Sequence, residues 1–288
     1  MSRPSLYDRV AEETASIVIR RYSTSFQLAS RLLAPGVRQH VENIYALVRV
    51  ADEIVDGPAI EAGLDAVGAA RALNELERET EEAMEHGFSA NLVVHAFALT
   101  AREAGFGAEL TAPFFQSMRT DLSATEHDQA SFDAYVYGSA EVVGLMCLRA
   151  FLRERTLTAV ELDRMETGAR ALGAAFQKVN FLRDLAADFE TLGRSYFPGV
   201  RVDSFTEADK DRLLDDIDAD LRVSAATIPA LPAGSRRAVA LAQGLFTELA
   251  SRLRATPASQ LITARVRVPN PIKLRIAAAS ALGRTPRP

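Results

Sequence analysis

The sequence predicts an all-α protein that forms one helical domain over residues 1–288. Apolar residues recur at helical spacing through most of the chain, and no pair of alternating segments joined by a tight turn predicts a β-hairpin. Hydrophobic residues make up 48 % of the chain, which is enough to build a sizeable core. Because no long segment rich in Pro, Gly or Ser divides the sequence, a second domain is not expected.

Residues that start and stop helices divide the chain into its expected elements. Pro4 is expected near the first position of the opening helix, and Gly57-Pro58 should end the second helix. Thr158 and Glu161 form a capping box, which predicts the start of a long helix that Gly193 stops. Further boundaries are expected at residues 22–26 and 34–36, at Gly87 and Gly105, at Ser131 and Thr206, and at residues 269–271.

The charge balance and the single cysteine exclude several classes of protein. The net charge is −5 and no basic run is present, so nucleic acid is not an expected partner. Cys147 cannot form an internal disulfide and is expected as a packed thiol in a reducing compartment. Without a signal peptide or an uncharged apolar run near the roughly 18 residues of a membrane span, we expect a cytoplasmic protein. A peripheral contact at the inner membrane surface stays open.

The first acidic motif lies on one face of a predicted helix. Tyr45, Arg49, Asp52 and Asp56 follow one another at spacings of four, three and four residues. Like charges four residues apart weaken a helix, so a cation between the two aspartates would be stabilising. On its own, however, a pair of aspartates at this spacing is weak evidence, and a solvated face with an Arg–Asp pair is the commoner explanation.

The second acidic motif is more specific. Gln177, Asn180, Asp184 and Asp188 place oxygen-bearing side chains along about three turns of another predicted helix, with Arg183 beside them. Gln and Asn have little local reason to occupy the middle of a helix. Oxygen ligands suit Mg²⁺, and arginine binds phosphate oxygens in a bidentate manner. Together the two motifs predict a site that holds magnesium and a diphosphate.

Two flanking segments could add contacts to a phosphate group, although each has a plainer explanation. Hydroxyl groups just before Phe26 could donate to phosphate oxygens or could simply cap a helix. Arg194 could close over an anion, or its segment could merely stop the helix above the packed ring of Tyr196. The hydroxyl groups belong to Ser23, Thr24 and Ser25.

The histidines do not predict a metal site of the di-iron kind. None of them has Glu three residues before it, so the Glu-x-x-His ligand pairs of di-iron bundles are absent from the sequence. Surface or hydrogen-bonded core positions are therefore expected for His40, His86, His95 and His127.

The motifs taken together resemble those of the squalene and phytoene synthases, a family of head-to-head prenyl transferases. The family's Ser-Phe, first aspartate motif, Q-x-x-N-x-x-R-D-x-x-x-D and G-R-x-Y-x-P occur in order, from about residue 20 to about residue 275. Arg265 to Pro269, with Lys273, resembles the closing basic motif. Glu53 replaces the second aspartate of the first motif and keeps its charge, and Phe246 stands where the family often has a tyrosine.

The resemblance implies an isoprenoid-synthase helical bundle around a central apolar cavity, in which two prenyl diphosphates bind. The implied ligands of Mg²⁺, with Mn²⁺ as a substitute, are Asp52, Asp56, Asn180, Asp184 and Asp188. The four aspartates, with Arg49 and Tyr45, are the implied catalytic residues. Implied substrate contacts come from all the motifs, through Ser23, Thr24, Ser25, Phe26, Tyr45, Arg49, Gln177, Asn180, Arg183, Arg194, Tyr196, Arg267 and Lys273.

The expected reaction joins two geranylgeranyl diphosphates to phytoene through a cyclopropylcarbinyl diphosphate, in carotenoid biosynthesis and without NADPH. Two alternatives with the same fold stay open. One is a C15 substrate that leads to presqualene diphosphate, dehydrosqualene or squalene, and the other is a non-catalytic assembly protein. The histidine pattern opposes a di-metal oxidase. We expect a monomer or a weak homodimer.

Overall fold

The described residues are helical almost throughout, as the sequence predicts. The structure is a computed structural model that describes residues 4–192 and 195–283, with only the backbone described at 24–25 and 186–192. These ranges contain no β-sheet, and a single isolated bridge joins Glu126 to Ser195. The first eight helices are α1 Leu6–Tyr22, α2 Thr24–Ser30, α3 Pro35–Val55, α4 Pro58–Glu61, α5 Ala66–His86, α6 Leu92–Ala104, α7 Ala108–Asp121 and α8 Gln129–Val136.

The second half of the fold begins with a π-helical turn, Tyr137–Glu141, that continues α8 into the next helix. The longest helix, α10, has 34 residues and carries the second acidic motif. Short 3₁₀ turns lie at Val202–Ser204 and Ile228–Ala230. The remaining helices are α9 Val142–Leu152, α10 Ala159–Leu192, α11 Glu207–Ala225, α12 Ala233–Ala255, α13 Ala258–Leu261 and α14 Asn270–Ala281.

Several predicted helix boundaries are confirmed. At the start of α10, the Thr158 N–H donates to Glu161 Oε2 at 2.9 Å, and the Glu161 N–H donates to Thr158 Oγ1 at 3.3 Å. Helix α3 ends at Val55, just before Gly57, whose φ of 136° is readily adopted only by glycine. The predicted stop at Gly193 lies outside the described residues.

Two boundary predictions are wrong by a few residues. Helix α1 begins at Leu6 because Ser5 caps it, so Pro4 precedes the cap and does not open the helix. Ser131 is not a cap, because Asp128 stands three residues earlier and its carboxylate accepts the Ser131 N–H at 2.8 Å. In both cases a second capping residue lies within one turn of the predicted one.

Helices α9 and α10 pack closely through glycines. A Cβ atom at Gly144 would lie 2.5 Å from the carbonyl oxygen of Ala169, and one at Gly173 would lie 2.5 Å from that of Ala140. Because both neighbours are backbone atoms, a change of rotamer cannot relieve either contact. Glycine at these two positions therefore brings the face of α10 that carries the second motif against α9 and the π-helical turn.

Two large hydrophobic cores support the functional site. The first lies between α1, α3, α5, α6, α7 and α9, and contains the fully buried rings of Phe97, Phe114 and Phe115. The second lies between α8, α10, α11 and α12, and includes Phe181 and Leu182. Residues from both cores line the cavity described below, so packing fixes its walls. That residues 1–288 form one domain stays a prediction.

One stretch of the fold, Gln129–Leu152, is long and apolar enough to pass as a membrane span by length and composition. Of its most apolar 18-residue window, 56 % is buried within the fold, and Phe132, Val142 and Met146 belong to the cores. This is weak evidence for a span, because the core helix of a globular protein passes the same test. The burial indicates a packed core segment.

Candidate active site

A cavity of about 570 Å³ lies between α2, α3, α9, α10 and α12. Its lining along α10 runs from Met165 to Asp184, and these 20 residues span about 28 Å of helix. The lining is apolar as far as Phe176 and becomes polar at Gln177. The cavity therefore has an apolar end and a polar end, as an amphipathic ligand requires.

The same change from apolar to polar occurs along α3. Ile44 and Val48 line the apolar part, and Arg49, Asp52 and Asp56 line the polar part toward the end of the helix. Burial, followed by the negative charge of Asp56, raises the pKa of the Asp52 carboxyl well above its usual value. A cation near Asp52 would favour the ionised carboxylate and reverse this shift.

Arg49 is placed to bind an anion. Its guanidinium forms an ion pair with Glu53, and Cζ lies 4.6 Å from the centre of the Tyr22 ring. Its buried Nε–H finds no hydrogen-bond acceptor within the described part of the chain. Because an unpaired buried donor is costly, this N–H offers a stabilising contact to a phosphate oxygen in the cavity.

Asp184 is held by two arginines at the polar end of the α10 lining. Arg183 Nε donates to Asp184 Oδ1 at 3.0 Å, and Arg265 Nη2 donates to Asp184 Oδ2 at 3.1 Å. Arg265 Nε also forms an ion pair with Asp184 Oδ1 at 2.7 Å. Both arginines line the cavity, as do Gln177 and Asn180. The second motif therefore faces the cavity, together with an arginine that belongs to the closing basic motif.

The polar ends of α3 and α10 meet around Asp121, at the end of α7. This carboxylate accepts the Tyr135 hydroxyl at 2.7 Å and the Tyr196 hydroxyl at 3.2 Å, and its charge contributes to the raised pKa of Asp52. The Tyr196 ring in turn stacks on Phe181 of α10, with the ring centres 4.0 Å apart. Asp121 thus joins the two predicted motifs at one site.

The sequence prediction did not include Asp121, and in the closing motif it named Arg267 but not Arg265. Asp121 follows the buried residues Ser117 and Met118 at helical spacing, so its position on the buried face of α7 was a readable signal. Arg265 lines the cavity, whereas the predicted Arg267 is exposed and does not. The preference for Arg265 depends on its contact with Asp184, which spacing alone does not reveal.

Aromatic rings line the cavity where its apolar part meets its polar end. The Phe26 ring centre lies 6.0 Å from that of Tyr45 and 5.9 Å from that of Phe176. Phe176 stacks on Phe246, with the ring centres 3.7 Å apart, so Phe246 supports the wall from behind. Burial raises the pKa of Tyr45, and that of Cys147, farther along the lining, to about 12. Cys147 is therefore a packed, protonated thiol, as predicted.

The remaining predicted residues do not line the cavity or are not described. Ser23 caps α2, with its Oγ accepting the Phe26 N–H at 3.1 Å, which matches the plainer interpretation of that segment. Lys273 is half-buried on α14, away from the lining. Arg194 and the side chains of Thr24, Ser25 and Asp188 lie outside the described residues.

The donor chemistry at the polar end fits a divalent cation. Across residues 4–192 and 195–283, no three Asp, Glu, His or Cys side chains converge closely enough to hold a metal ion by themselves. Asp184 instead binds Arg183 and Arg265. The polar lining nevertheless includes carboxylate and amide oxygens, the ligands that Mg²⁺ prefers when substrate phosphates complete its coordination.

Comparison with known structures places the fold among the all-α isoprenoid synthases. A dehydrosqualene synthase in complex with a ligand superposes with a TM-score of 0.78, covers 96 % of this chain and 97 % of its own, and is 22 % identical in sequence. The squalene synthase HpnC from Alicyclobacillus acidocaldarius has a TM-score of 0.74 at 19 % identity, over 88 % of this chain and 96 % of its own. At sequence identities this low, the structural likeness shows the fold alone.

The chain belongs to the squalene/phytoene synthase family, whose model matches residues 19–271. A 15-cis-phytoene synthase of Paracoccus sp. is 30 % identical over 194 residues, which cover 66 % of this chain and 60 % of that relative. The chloroplastic phytoene synthase 3 of Zea mays is 30 % identical over 68 % of this chain and 44 % of its own length. The 4,4'-diapophytoene synthase of Staphylococcus haemolyticus is 26 % identical over 69 % of this chain and 67 % of its own.

Proposed function

We propose that the protein is a prenyl transferase that joins two prenyl diphosphates head to head. The observation that carries this proposal is the joint lining of one cavity by Asp52 and Asp56 of the first motif and by Asn180 and Asp184 of the second. Along α10 the rest of the lining is apolar from Met165 to Phe176, over about 17 Å. This arrangement suits a charged head group joined to a hydrocarbon chain.

Magnesium would be held by the oxygen ligands at the polar end. Asp52 and Asp56 would bind from α3, and Asn180 and Asp184 from α10, with Asp188 expected beside them. When bound, the ion supplies Lewis-acid assistance to the departure of the diphosphate. Arg49, Arg183 and Arg265 would bind the same diphosphate and stabilise its negative charge as it leaves.

The protein's own residues would bind the substrates and exclude water. Departure of one diphosphate leaves an allylic cation, which the double bond of the second substrate captures to form one carbon–carbon bond. Loss of a proton from the carbon that carried the departed diphosphate then closes the cyclopropane ring through a second carbon–carbon bond. The products of this step are a cyclopropylcarbinyl diphosphate, inorganic diphosphate and the proton. The aromatic wall of Phe26, Tyr45 and Phe176 would keep water from the cation.

We propose geranylgeranyl diphosphate as the substrate and phytoene as the product, in carotenoid biosynthesis in the cytoplasm. Relatives named phytoene synthases, from a bacterium and from plants, support the C20 chain. The relative named 4,4'-diapophytoene synthase and the structural likeness to a dehydrosqualene synthase favour a C15 substrate as the second candidate. The proposed roles of the motif residues are the same for the C20 and the C15 substrate.

Product analysis distinguishes these candidates. Purified protein is incubated with Mg²⁺ and labelled C15 or C20 diphosphate, with and without NADPH, and the hydrocarbon is identified by mass. We expect phytoene from the C20 substrate, no requirement for NADPH, and no product when EDTA is present. Turnover of the C15 substrate alone, or a requirement for NADPH, would establish the second candidate.

Substitution of the motif aspartates tests for an enzyme against an assembly protein. We expect Asp52→Asn and Asp184→Asn each to lower turnover by at least about a thousandfold while the helical circular dichroism is unchanged. Asp163→Asn is the matched control, because Asp163 is an exposed carboxylate on α10 outside the cavity lining. Absence of turnover in the unaltered protein with either substrate would favour the assembly protein, and full activity in the two motif variants would contradict the roles proposed for these aspartates.

A further inference from the structure

We propose that one face of the carboxyl-terminal region docks on a bilayer of anionic phospholipids. This basic apolar face consists of Arg267, Leu274, Arg275, Ala278 and Leu282, all of which are exposed. The proposal goes beyond the prenyl-transferase reaction and assigns the surface through which the protein would meet a membrane. Three observations carry it, namely the segregation of charge, the two apolar sides of α14 and the closeness in sequence to a residue that lines the cavity.

Charge is segregated sharply at this end of the chain. Residues 257–283 contain four basic residues and no Asp or Glu, although the whole chain carries 38 acidic residues against 33 Lys and Arg. The guanidinium groups of Arg267 and Arg275 form no hydrogen bond or ion pair with the part of the chain that the structure describes. Two exposed guanidinium groups in an acid-free segment provide the charge complementarity that an anionic lipid surface requires.

Helix α14 has apolar side chains on two sides. Ile276 and Ala277 pack inward on a small core with Leu241 and Leu245 of α12, which anchors the helix. On the outer side, Leu274 and Leu282 are 64 % and 76 % exposed, two turns apart with Ala278 between them. The outer apolar stripe, with Arg275 beside it, offers both an apolar and a cationic contact to a membrane interface.

The basic apolar face follows closely in sequence a residue that lines the polar end of the cavity. Arg265, two residues before Arg267, lines the cavity and binds Asp184. From there the chain runs directly into α14, whose inner side also packs near Leu28 and Leu32 of the α2 region. Docking by this face would bring the polar end of the cavity near the bilayer, in which prenyl chains and hydrocarbon products dissolve.

Vesicle sedimentation tests the proposal with the full chain and without substrate, so its outcome is independent of the proposed reaction. We expect the protein to pellet with phosphatidylglycerol vesicles and not with phosphatidylcholine vesicles. Salt at about 0.5 M should release it, because interactions between charges more than about 5 Å apart are screened at that ionic strength. Arg275→Glu should weaken binding about tenfold to thirtyfold, since it removes one attraction and adds one repulsion. The double variant Leu274→Ser with Leu282→Ser should weaken it by a similar factor.

The matched control is a double variant on α5, Val67→Ser with Arg71→Glu, which changes an exposed apolar residue and an exposed arginine one turn apart. It should bind phosphatidylglycerol vesicles like the unaltered protein, and all variants should keep their melting temperature and their activity in detergent micelles. Equal binding to both lipids, or equal loss in the control, would overturn the proposal. So would loss in Arg275→Glu without loss in the leucine variant, which would indicate an electrostatic contact in which the apolar stripe takes no part.

Discussion

Arg265 Nε lies 2.7 Å from Asp184 Oδ1, although 81 residues separate the two in sequence. The pair ties the segment between α13 and α14 to the polar end of the α10 lining. Arg183 donates to the same carboxylate, so Asp184 lies between two cations. If a diphosphate and a divalent cation bind as proposed, both guanidinium groups would donate to phosphate oxygens and leave the carboxylate to the metal.

Arg265→Ala should lower kcat/KM for the prenyl diphosphate by about 10-fold to 100-fold, the range expected for one lost charge-assisted hydrogen-bonding group. Arg265→Lys should recover only part of this loss, because an ammonium group cannot make the bidentate contact. Steady-state kinetics at saturating Mg²⁺ would measure both effects.

Arg267→Ala provides the comparison for Arg265, since Arg267 is exposed and does not line the cavity. In detergent micelles its kcat/KM should stay within about twofold of the unaltered protein. A larger loss in Arg267→Ala than in Arg265→Ala would restore the sequence prediction and contradict the structural assignment.

The helices and the two acidic stripes were predictable because both depend on periodicity along a single element. Asp52 and Asp56 share a face through their spacing alone, and so do Asn180 and Asp184. The cap at Asp128 was missed because Ser131 has the same capping chemistry within one turn. Local patterns therefore predict the elements well and their first residues less well.

The residues that sequence reasoning missed depend on contacts between elements. Asp121 joins the site through hydroxyl groups of Tyr135 and Tyr196, which come from two other segments. Arg265 is distinguished from Arg267 only by its contact with Asp184. No spacing rule within one helix encodes either relationship, so the chain had to be folded before these residues could be recognised.

Asp121→Asn should weaken the activation of the enzyme by Mg²⁺. The carboxylate of Asp121 contributes to the negative environment of Asp52, and removal of its charge lowers the attraction for a divalent cation nearby. We expect the Mg²⁺ concentration for half-maximal activity to rise on the order of tenfold, measured by titrating Mg²⁺ at fixed substrate.

Tyr135→Phe separates the charge of Asp121 from its hydrogen bond. It removes the hydroxyl that donates to Asp121 Oδ2 at 2.7 Å and leaves the carboxylate in place. Its half-maximal Mg²⁺ concentration should change by less than about threefold, which corresponds to well under 1 kcal/mol. A shift as large as that of Asp121→Asn would show that the hydrogen bond from Tyr135 to Asp121, and not the charge of Asp121 alone, controls metal activation.

Phe151→Ala should favour the longer substrate. Phe151 lines the apolar part of the cavity and packs in the same small core as Met165 and Ile228. Removal of the ring enlarges the cavity, so the ratio of kcat/KM for the C20 diphosphate to that for the C15 diphosphate should rise about tenfold. Competition between the two labelled substrates would measure this ratio directly.

Phe132→Ala is the control for Phe151, because its ring is buried in the second core and does not line the cavity. Both variants should melt at lower temperature, since each removes a packed ring. Only Phe151→Ala should change the preference for chain length. An equal change in both variants would indicate general loosening of the fold rather than a wall position that limits the chain.

Asp8 should give α1 a stability that depends on acid pH. Its carboxylate Oδ1 lies 3.0 Å from Nε2 of the buried His95, and this hydrogen bond, with those to Ser5, lowers the pKa of Asp8. A carboxyl whose folded pKa is lowered stabilises the fold above its unfolded pKa of about 3.9 and loses that contribution as pH falls through the folded value. Asp8→Asn should therefore melt below the unaltered protein at pH 6, with the difference shrinking below about pH 4. Asp163→Asn, which changes an exposed carboxylate, should show no such dependence. If the difference in melting temperature between Asp8→Asn and the unaltered protein did not change with pH, packing and not the charge of Asp8 would hold α1 to α6.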